Sequence, residues 1–380
     1  EKVNLHKRIA LTIVKLTGTT PEKVVLGFML ATAFMSMWIS NTASTVVMLP
    51  IAISVIKLLI NDKDGFTKGD KNFALSIMLG IAFAANAGGI ATVIGTPPNS
   101  VLIGLLENQY NIQISFLTWM SFGFPFSILM IAAVYFVLVK WMFPCKGIVF
   151  TSSANLISEE INKLGKISKE EKRVLMIFAV TVFLWITRTI INSIFPGLKL
   201  SDTIISLIGA VSLFAIPMNF KKGNFILEWN DTEKLAWGIL ILFGGGLALA
   251  KGMASSGLVA LITDTIAAGN FNILFTVSLL IVLMLFMTEL MSNVALVAVL
   301  APVVAGIAIG LNIPILNLLI PVTMASSCAF MLPMATPPNA IVFASGYVKV
   351  KEMVRAGVVL NVIAVVLLIL YYQFVIPLFF

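Results

Sequence analysis

Charge is the scarcest resource in this chain. Only 11% of its 380 residues are charged, where an ordinary soluble domain carries about 25%. Hydrophobic residues make up 59% and mean hydropathy is +1.04. That balance excludes a soluble globular domain, a disordered tail and a collagen-like fibre. Histidine occurs once, at His6, which argues against a histidine-built metal site. Cys145 and Cys328 are the only cysteines, so a disulfide scaffold is excluded, and their different settings argue against pairing. There is no His-Glu-x-x-His, no paired intramembrane Asp and no Gly-x-Ser-x-Gly, so no enzyme is expected and no catalytic residue is assigned. The net charge of +8, with pI near 9.4, would suggest nucleic acid on a soluble chain. Here it must first be placed relative to a bilayer.

Apolar segments dominate instead. A helix crosses a bilayer with about 20 apolar residues. Residues 117–139, 174–195 and 354–380 qualify as spans, and 203–217 and 235–250 are shorter ones. None has the form of a secretory signal peptide. Residues 1–23 are amphipathic and basic and are expected to lie in the interface.

Four other apolar regions are interrupted. Residues 24–60 break at Ser40-Asn41-Thr42, and 271–311 break at Ser292-Asn293. Each is too long for one helix and too short for two full spans, which fits a re-entrant hairpin with a polar tip. Residues 73–106 and 315–347 break at Thr96-Pro97-Pro98-Asn99 and Thr336-Pro337-Pro338-Asn339. Consecutive prolines remove two backbone donors and push the preceding residue out of the α region. These two are expected to be broken transmembrane helices.

The order hairpin, broken helix, span occurs twice, which is an internal repeat. Ser40 and Ser292 stand 252 positions apart, and Thr96 and Thr336 stand 240 apart. A longer charged loop near 61–71 in the first copy accounts for the difference. The expected fold is an all-α polytopic membrane protein with inverted repeats, two re-entrant helical hairpins and two broken transmembrane helices. Its parts are an interfacial segment (1–23), a first repeat (24–143), a cytoplasmic loop (144–173), scaffold spans (174–250), a second interfacial segment (251–270) and a second repeat core (271–380).

Orientation follows from lysine and arginine placement. With residues 1–23 cytoplasmic, segments 57–71, 140–173, 217–235 and 345–356 fall on the same side. Together they hold 22 of the 25 basic residues, against two, Lys199 and Lys251, on the other; Arg188 lies within a span. The two hairpins then enter from opposite faces. By the same symmetry, about three spans, roughly 80 residues, are expected ahead of Glu1.

In hydrocarbon a free backbone N–H or C=O costs several kcal/mol, so irregular backbone survives only inside protein or along a wet cavity. Inverted-repeat transporters gather such breaks near the midplane, where helix N-termini face anions and unwound carbonyls coordinate cations. The Ser and Asn oxygens at the tips suit a hard cation such as Na⁺. Other residues read more plainly. Gly244-Gly245-Gly246 indicates close helix packing, because no Lys-Ser/Thr follows it. Trp38 and Phe34 read as helix packing, the methionines as scattered apolar filler, and 151–173 as a solvated connector. Arg188 either snorkels or pairs. Glu289 is an intramembrane acid and so a functional candidate; its alternative is a structural partner for a hydroxyl or a basic group.

The stretch Ser326-Ser327-Cys328-Ala329-Phe330-Met331-Leu332-Pro333-Met334-Ala335-Thr336-Pro337-Pro338-Asn339-Ala340-Ile341-Val342 resembles the signature of the divalent anion/sodium symporter family. These are the INDY-type di- and tricarboxylate transporters. Ser40-Asn41-Thr42 and Ser292-Asn293 are similar to its two Ser-Asn-Thr motifs, and the resemblance covers essentially the whole chain. It implies a first sodium site at Ser36, Ser40, Asn41 and the backbone of Gly95. It implies a second at Thr288, Asn293 and the backbone of Ala335. The substrate carboxylates would lie on Asn41, Thr42, Ser292, Asn293, Thr96 and Thr336. Val294 departs from the pattern, standing where many dicarboxylate members have Thr.

The family implies sodium-coupled symport of a C4-dicarboxylate such as succinate, by an elevator motion, in a homodimer of the inner (plasma) membrane. Sodium is the coupling ion, no cofactor is implied, and the partners are the carboxylate anion and the lipid bilayer, not nucleic acid. A sodium-independent exchanger and a citrate or sulfate symporter are alternatives on the same fold. A channel or membrane scaffold protein is the alternative outside transport.

Overall fold

A computed structural model describes residues 2–18, 20–60, 67–145, 159–219, 224–234, 237–268 and 272–380. The described residues are helical almost throughout; β1 (Pro217–Asn219) and β2 (Asn224–Phe225) form one short antiparallel pair. Parts of the charged loop near 61–71 and of the 151–173 connector lie outside the described residues.

Helices begin where the sequence supplies a cap. The amphipathic α1 (Leu5–Thr17) precedes α2 (Pro21–Ser36), which has proline at its first turn. After a four-residue gap α3 (Asn41–Ile60) begins. Thr67 and Asp70 form a capping box that starts α4 (Lys68–Gly89). The chain then unwinds, and α5 (Pro97–Tyr110) restarts it on Pro97 and Pro98. Ser115 caps α6 (Phe116–Tyr135), which continues as a π-helical turn to Met142.

A second capping box, Ser168 with Glu171, starts α7 (Lys169–Ile194). Next come α8 (Asp202–Ala215), α9 (Trp237–Ser255) and α10 (Leu258–Ala268). The second copy then repeats the first as α11 (Ile273–Thr288), α12 (Asn293–Gly310), α13 (Ile315–Ser326), α14 (Pro337–Ala344) and α15 (Val350–Leu370). Pro50 in α3 and Pro302 in α12 stand at matching places, each inside the helix that follows a polar tip.

Among the described residues, five helical stretches are long and apolar enough to cross a membrane: 68–89, 116–142, 169–194, 293–310 and 350–378. Their surroundings differ. The apolar window of α4 is 94% buried, that of α7 only 6%. The first therefore lies at the centre of the molecule and the second on its outside. The expected span at 203–217 is the 14-residue α8, shorter than a bilayer crossing normally needs.

The two copies interlock. α3 packs on α14, while α5 packs on α12, so each helix after a tip meets the other copy's helix after its break. Ion pairs and one amide gather the basic segments onto one face. Lys2 pairs with Asp231 (2.7 Å), Lys7 with Glu160 (3.1 Å), Arg8 with Glu171 (2.8 Å) and Lys71 with Glu352 (2.8 Å). Lys140 pairs with Glu22, and Asn72 donates to the Pro144 carbonyl at 3.2 Å. These contacts link described residues in or next to each of the five segments expected on one side, with Asn72 standing just past the 57–71 segment.

Some expectations resolve and some change. Arg188 pairs with Asp202 at 3.1 Å. Gly246 meets α12 where an added Cβ would lie 2.5 Å from the Ala298 Cβ, so close packing holds there, but Gly244 and Gly245 face open space. Trp38 stacks with Phe116 (centroids 6.1 Å) and edges onto Phe178 (5.2 Å). Phe34 does not share that role: it is 42% exposed on the outside.

Candidate functional site

Four helix starts converge on one cavity of about 850 Å³. It is lined by Ser40, Asn41 and Thr42 at the start of α3, and by Thr96, Pro97 and Pro98 at the start of α5. Ser292, Asn293 and Val294 at the start of α12 and Thr336, Pro337 and Pro338 at the start of α14 complete the ring. Among the described residues, no lysine, arginine, aspartate or glutamate lines it. Helix N-termini carry unsatisfied N–H groups and the positive end of the macrodipole, so four of them facing one space favour an anion there.

Prolines make these starts abrupt. Pro97 and Pro337 occupy first-turn positions, where the missing N–H costs nothing. Thr96 and Thr336 before them have extended backbone, with φ of −140° in both. The unwound segments are stapled by one amide each, in the same pattern. Asn99 donates to the carbonyls of Gly89 (3.3 Å) and Thr92 (2.8 Å); Asn339 donates to those of Ala329 (3.2 Å) and Leu332 (3.1 Å). Each contact of the first copy recurs 240 positions later. Gly89 must be glycine, because a Cβ there would collide with the Asn41 side chain.

Behind each asparagine lies a cluster of oxygens. Ser36 is fully buried, and its hydroxyl stands 2.5 Å from the Asn41 amide and 2.7 Å from the Ala85 carbonyl. With the amide turned to donate, one Asn41 nitrogen reaches Ser36 Oγ, the Ala85 carbonyl (3.2 Å) and the Gly95 carbonyl (3.2 Å). Three oxygens thus converge on one point. In the second copy, fully buried Thr288 stands 2.7 Å from Asn293 Oδ1 and 2.7 Å from the Ser326 carbonyl. Neutral oxygens of this kind fit a small hard cation.

All six residues expected to hold substrate, Asn41, Thr42, Thr96, Ser292, Asn293 and Thr336, line the one cavity. Ser36, Asn41 and Gly95 of the first cation set come together, as do Thr288 and Asn293 of the second. Ser40 accepts from the Ala43 N–H (3.2 Å) and lines the cavity. Ala335 is buried and lines the cavity, with no bond to Thr288.

The family model described as the sodium:sulfate symporter transmembrane region matches residues 1–380. The chain belongs to this family. It is a multi-pass membrane transporter and not an enzyme. A protein named sodium-dependent dicarboxylate transporter SdcS, from Staphylococcus saprophyticus, is 37% identical over 383 residues, covering 99% of this chain and 74% of the relative. The SdcS of Staphylococcus aureus strain USA300 is 37% identical over 382 residues with the same coverage.

In this symporter-family chain the structure adds lining and supporting residues that the sequence did not single out, and it gives Glu289, a candidate from the sequence, its partners. Met334 and Leu290 line the cavity as well, the methionine at a place where scattered apolar filler was expected. Asn86 donates from α4 to the Ala329 carbonyl (3.1 Å) and to Thr336 Oγ1 (3.1 Å), tying the first copy to the second break. Glu289 accepts from the N–H groups of Phe330 (2.9 Å), Met331 (2.9 Å) and Leu332 (3.0 Å) and from Asn361 Nδ2 (2.7 Å). Its partners are neither a hydroxyl nor a basic side chain. The signal that finds the asparagine staples is the Thr-Pro-Pro-Asn spacing, since Asn follows each break by one turn.

Proposed function

We propose that this protein couples inward sodium flow to uptake of a C4-dicarboxylate, succinate-like, across the plasma membrane. The observation that carries this is the ring of four helix starts around one cavity with no charged side chain among its described lining residues. A dianion there meets N–H groups and dipoles, and co-bound Na⁺ supplies the remaining positive charge. The oxygen clusters at Ser36, Asn41 and Gly95 and at Thr288 and Asn293 hold the two ions. Ser40 and the Ala335 backbone complete them in the family scheme. Because Asn41 and Asn293 serve both the cavity and an oxygen cluster, cation and anion binding reinforce each other. The SdcS relatives, named as sodium-dependent dicarboxylate transporters, favour the same substrate class.

The two copies act as inverted repeats whose re-entrant hairpins, 24–60 and 271–311, enter from opposite faces. Reciprocal packing of α3 on α14 and of α5 on α12 supports that reading, as does the gathering of basic segments on one face. Hairpins and broken helices move together as a transport domain, an elevator, against a scaffold of 117–139, 174–250 and 354–380. The exposed α7 belongs to that scaffold and gives it a face for a second copy in a homodimer.

Labelled succinate uptake into proteoliposomes tests the coupling. Uptake is expected with an inward Na⁺ gradient and lost when choline replaces Na⁺. Equal uptake in both would point to a sodium-independent exchanger on this fold. Competition by citrate or sulfate at low concentration would move the substrate assignment.

A further inference from the structure

Glu289 is 2% exposed and directly follows Thr288, the threonine of the second oxygen cluster. Its two oxygens face four donors: three consecutive backbone N–H groups, of residues 330–332, and the Asn361 amide. Donors on both oxygens are the complement of an ionised carboxylate, which only accepts. No salt bridge to Glu289 is found among the described residues. The carboxylate therefore brings hydrogen-bonded but uncancelled negative charge into the second break. It also fixes that break. The Leu332 carbonyl, whose own N–H is held by Glu289, accepts from the Ala335 N–H (3.2 Å) and from Asn339 (3.1 Å).

The first copy has nothing like it. The position matching Glu289 is Met37, 252 residues earlier, which follows Ser36 as Glu289 follows Thr288. There only the Met37 carbonyl takes part, accepting from Thr92 Oγ1 at 2.6 Å. Two clusters of neutral oxygens with similar ligands thus differ by one unit of buried charge. Thr288 and Glu289 are consecutive residues, and in a low-dielectric interior a charge close to a cation site strengthens cation binding there.

We propose that Glu289 makes the two sodium sites unequal: the second site, backed by this carboxylate, binds Na⁺ more tightly and fills first. Glu289 is a positioning and electrostatic residue, not a ligand. The inference rests on the sodium reading above.

The test is Na⁺ binding to the purified full chain without substrate, read by Na⁺-dependent thermal stabilisation and by radiolabelled sodium. Glu289→Gln, which keeps the shape and removes the charge, is expected to raise half-saturating Na⁺ about tenfold or more. Glu289→Asp keeps the charge and is expected to stay within about threefold of wild type. Gln behaving as wild type, or Asp and Gln shifting alike, overturns the proposal. A second measurement does not depend on these variants folding. Asn41→Ala leaves the charged site, and Asn293→Ala leaves the neutral one, so the residual site in Asn41→Ala is expected to be the tighter. Equal residual affinities overturn the proposal as well. Wild type that binds no Na⁺ at all is a different result, and it removes the sodium reading itself.

Discussion

The Thr288 hydroxyl lies 2.7 Å from the Asn293 side-chain oxygen, and the Ser36 hydroxyl lies 2.5 Å from the Asn41 amide. In both copies a fully buried hydroxyl at the end of one helix meets the asparagine that starts the next. Removing either asparagine therefore strips an oxygen cluster and a cavity wall together. Asn41→Ala and Asn293→Ala are each expected to abolish Na⁺-dependent succinate uptake while the protein still reaches the membrane. Wild-type rates in both variants, at matched expression, would refute the site.

Val294 lines the cavity at the place that Thr42, 252 positions earlier, takes in the first copy. The valine offers no hydroxyl to a carboxylate, so one side of the anion relies on Ser292, Asn293 and helix N–H groups. Val294→Thr adds a donor without much change in volume. It is expected to shift the KM ratio between short and longer dicarboxylates by about threefold to tenfold, the range of one added hydrogen bond. Unchanged ratios across a dicarboxylate panel would show that residue 294 does not reach the substrate.

How much of this was legible before folding depends on where the information sits. The breaks were readable because Pro-Pro cannot continue a helix, and the tips because Ser-Asn recurs inside apolar sequence. The gathering of six polar side chains on one cavity followed from those breaks. The role of Glu289 was not readable, because its partners at 330–332 are backbone N–H groups, which any residue would supply. Asn86 stayed hidden for a related reason: its carbonyl and hydroxyl partners belong to the other copy, and only the packing of α4 on α14 brings them within reach. Phe34 was misread because an apolar residue on a membrane helix packs equally well against lipid or protein.

Cys145 lies just past the end of the 116–142 helical stretch and is 7% exposed. Burial pushes its thiol up to about 11. The thiolate is the reactive form, so at neutral pH almost none is present, and reactivity rises only as pH climbs toward that value. Cys328 is fully buried in the second break. Native protein at pH near 7 is expected to take up no maleimide over minutes, and both cysteines are expected to react after unfolding. Rapid labelling of native protein at neutral pH would contradict the packing around Cys145.

Asn86 gives a last test, of communication between the copies. Its amide nitrogen lies 3.1 Å from the Ala329 carbonyl, 3.1 Å from Thr336 Oγ1 and 3.4 Å from Asn339 Oδ1, and the residue is 1% exposed. It sits on α4, the helix whose break holds Gly95, yet all three partners belong to the second break. Asn86→Ala leaves these acceptors buried with one donor fewer, at a cost of about 1–3 kcal/mol. Movement at one break would then pass less effectively to the other. The variant is expected to lower the unfolding temperature and to reduce the steepness of uptake against Na⁺ concentration, with substrate specificity unchanged. A fall in stability with full Na⁺ steepness would reduce Asn86 to a packing contact, because coupling through this amide requires both effects to move together.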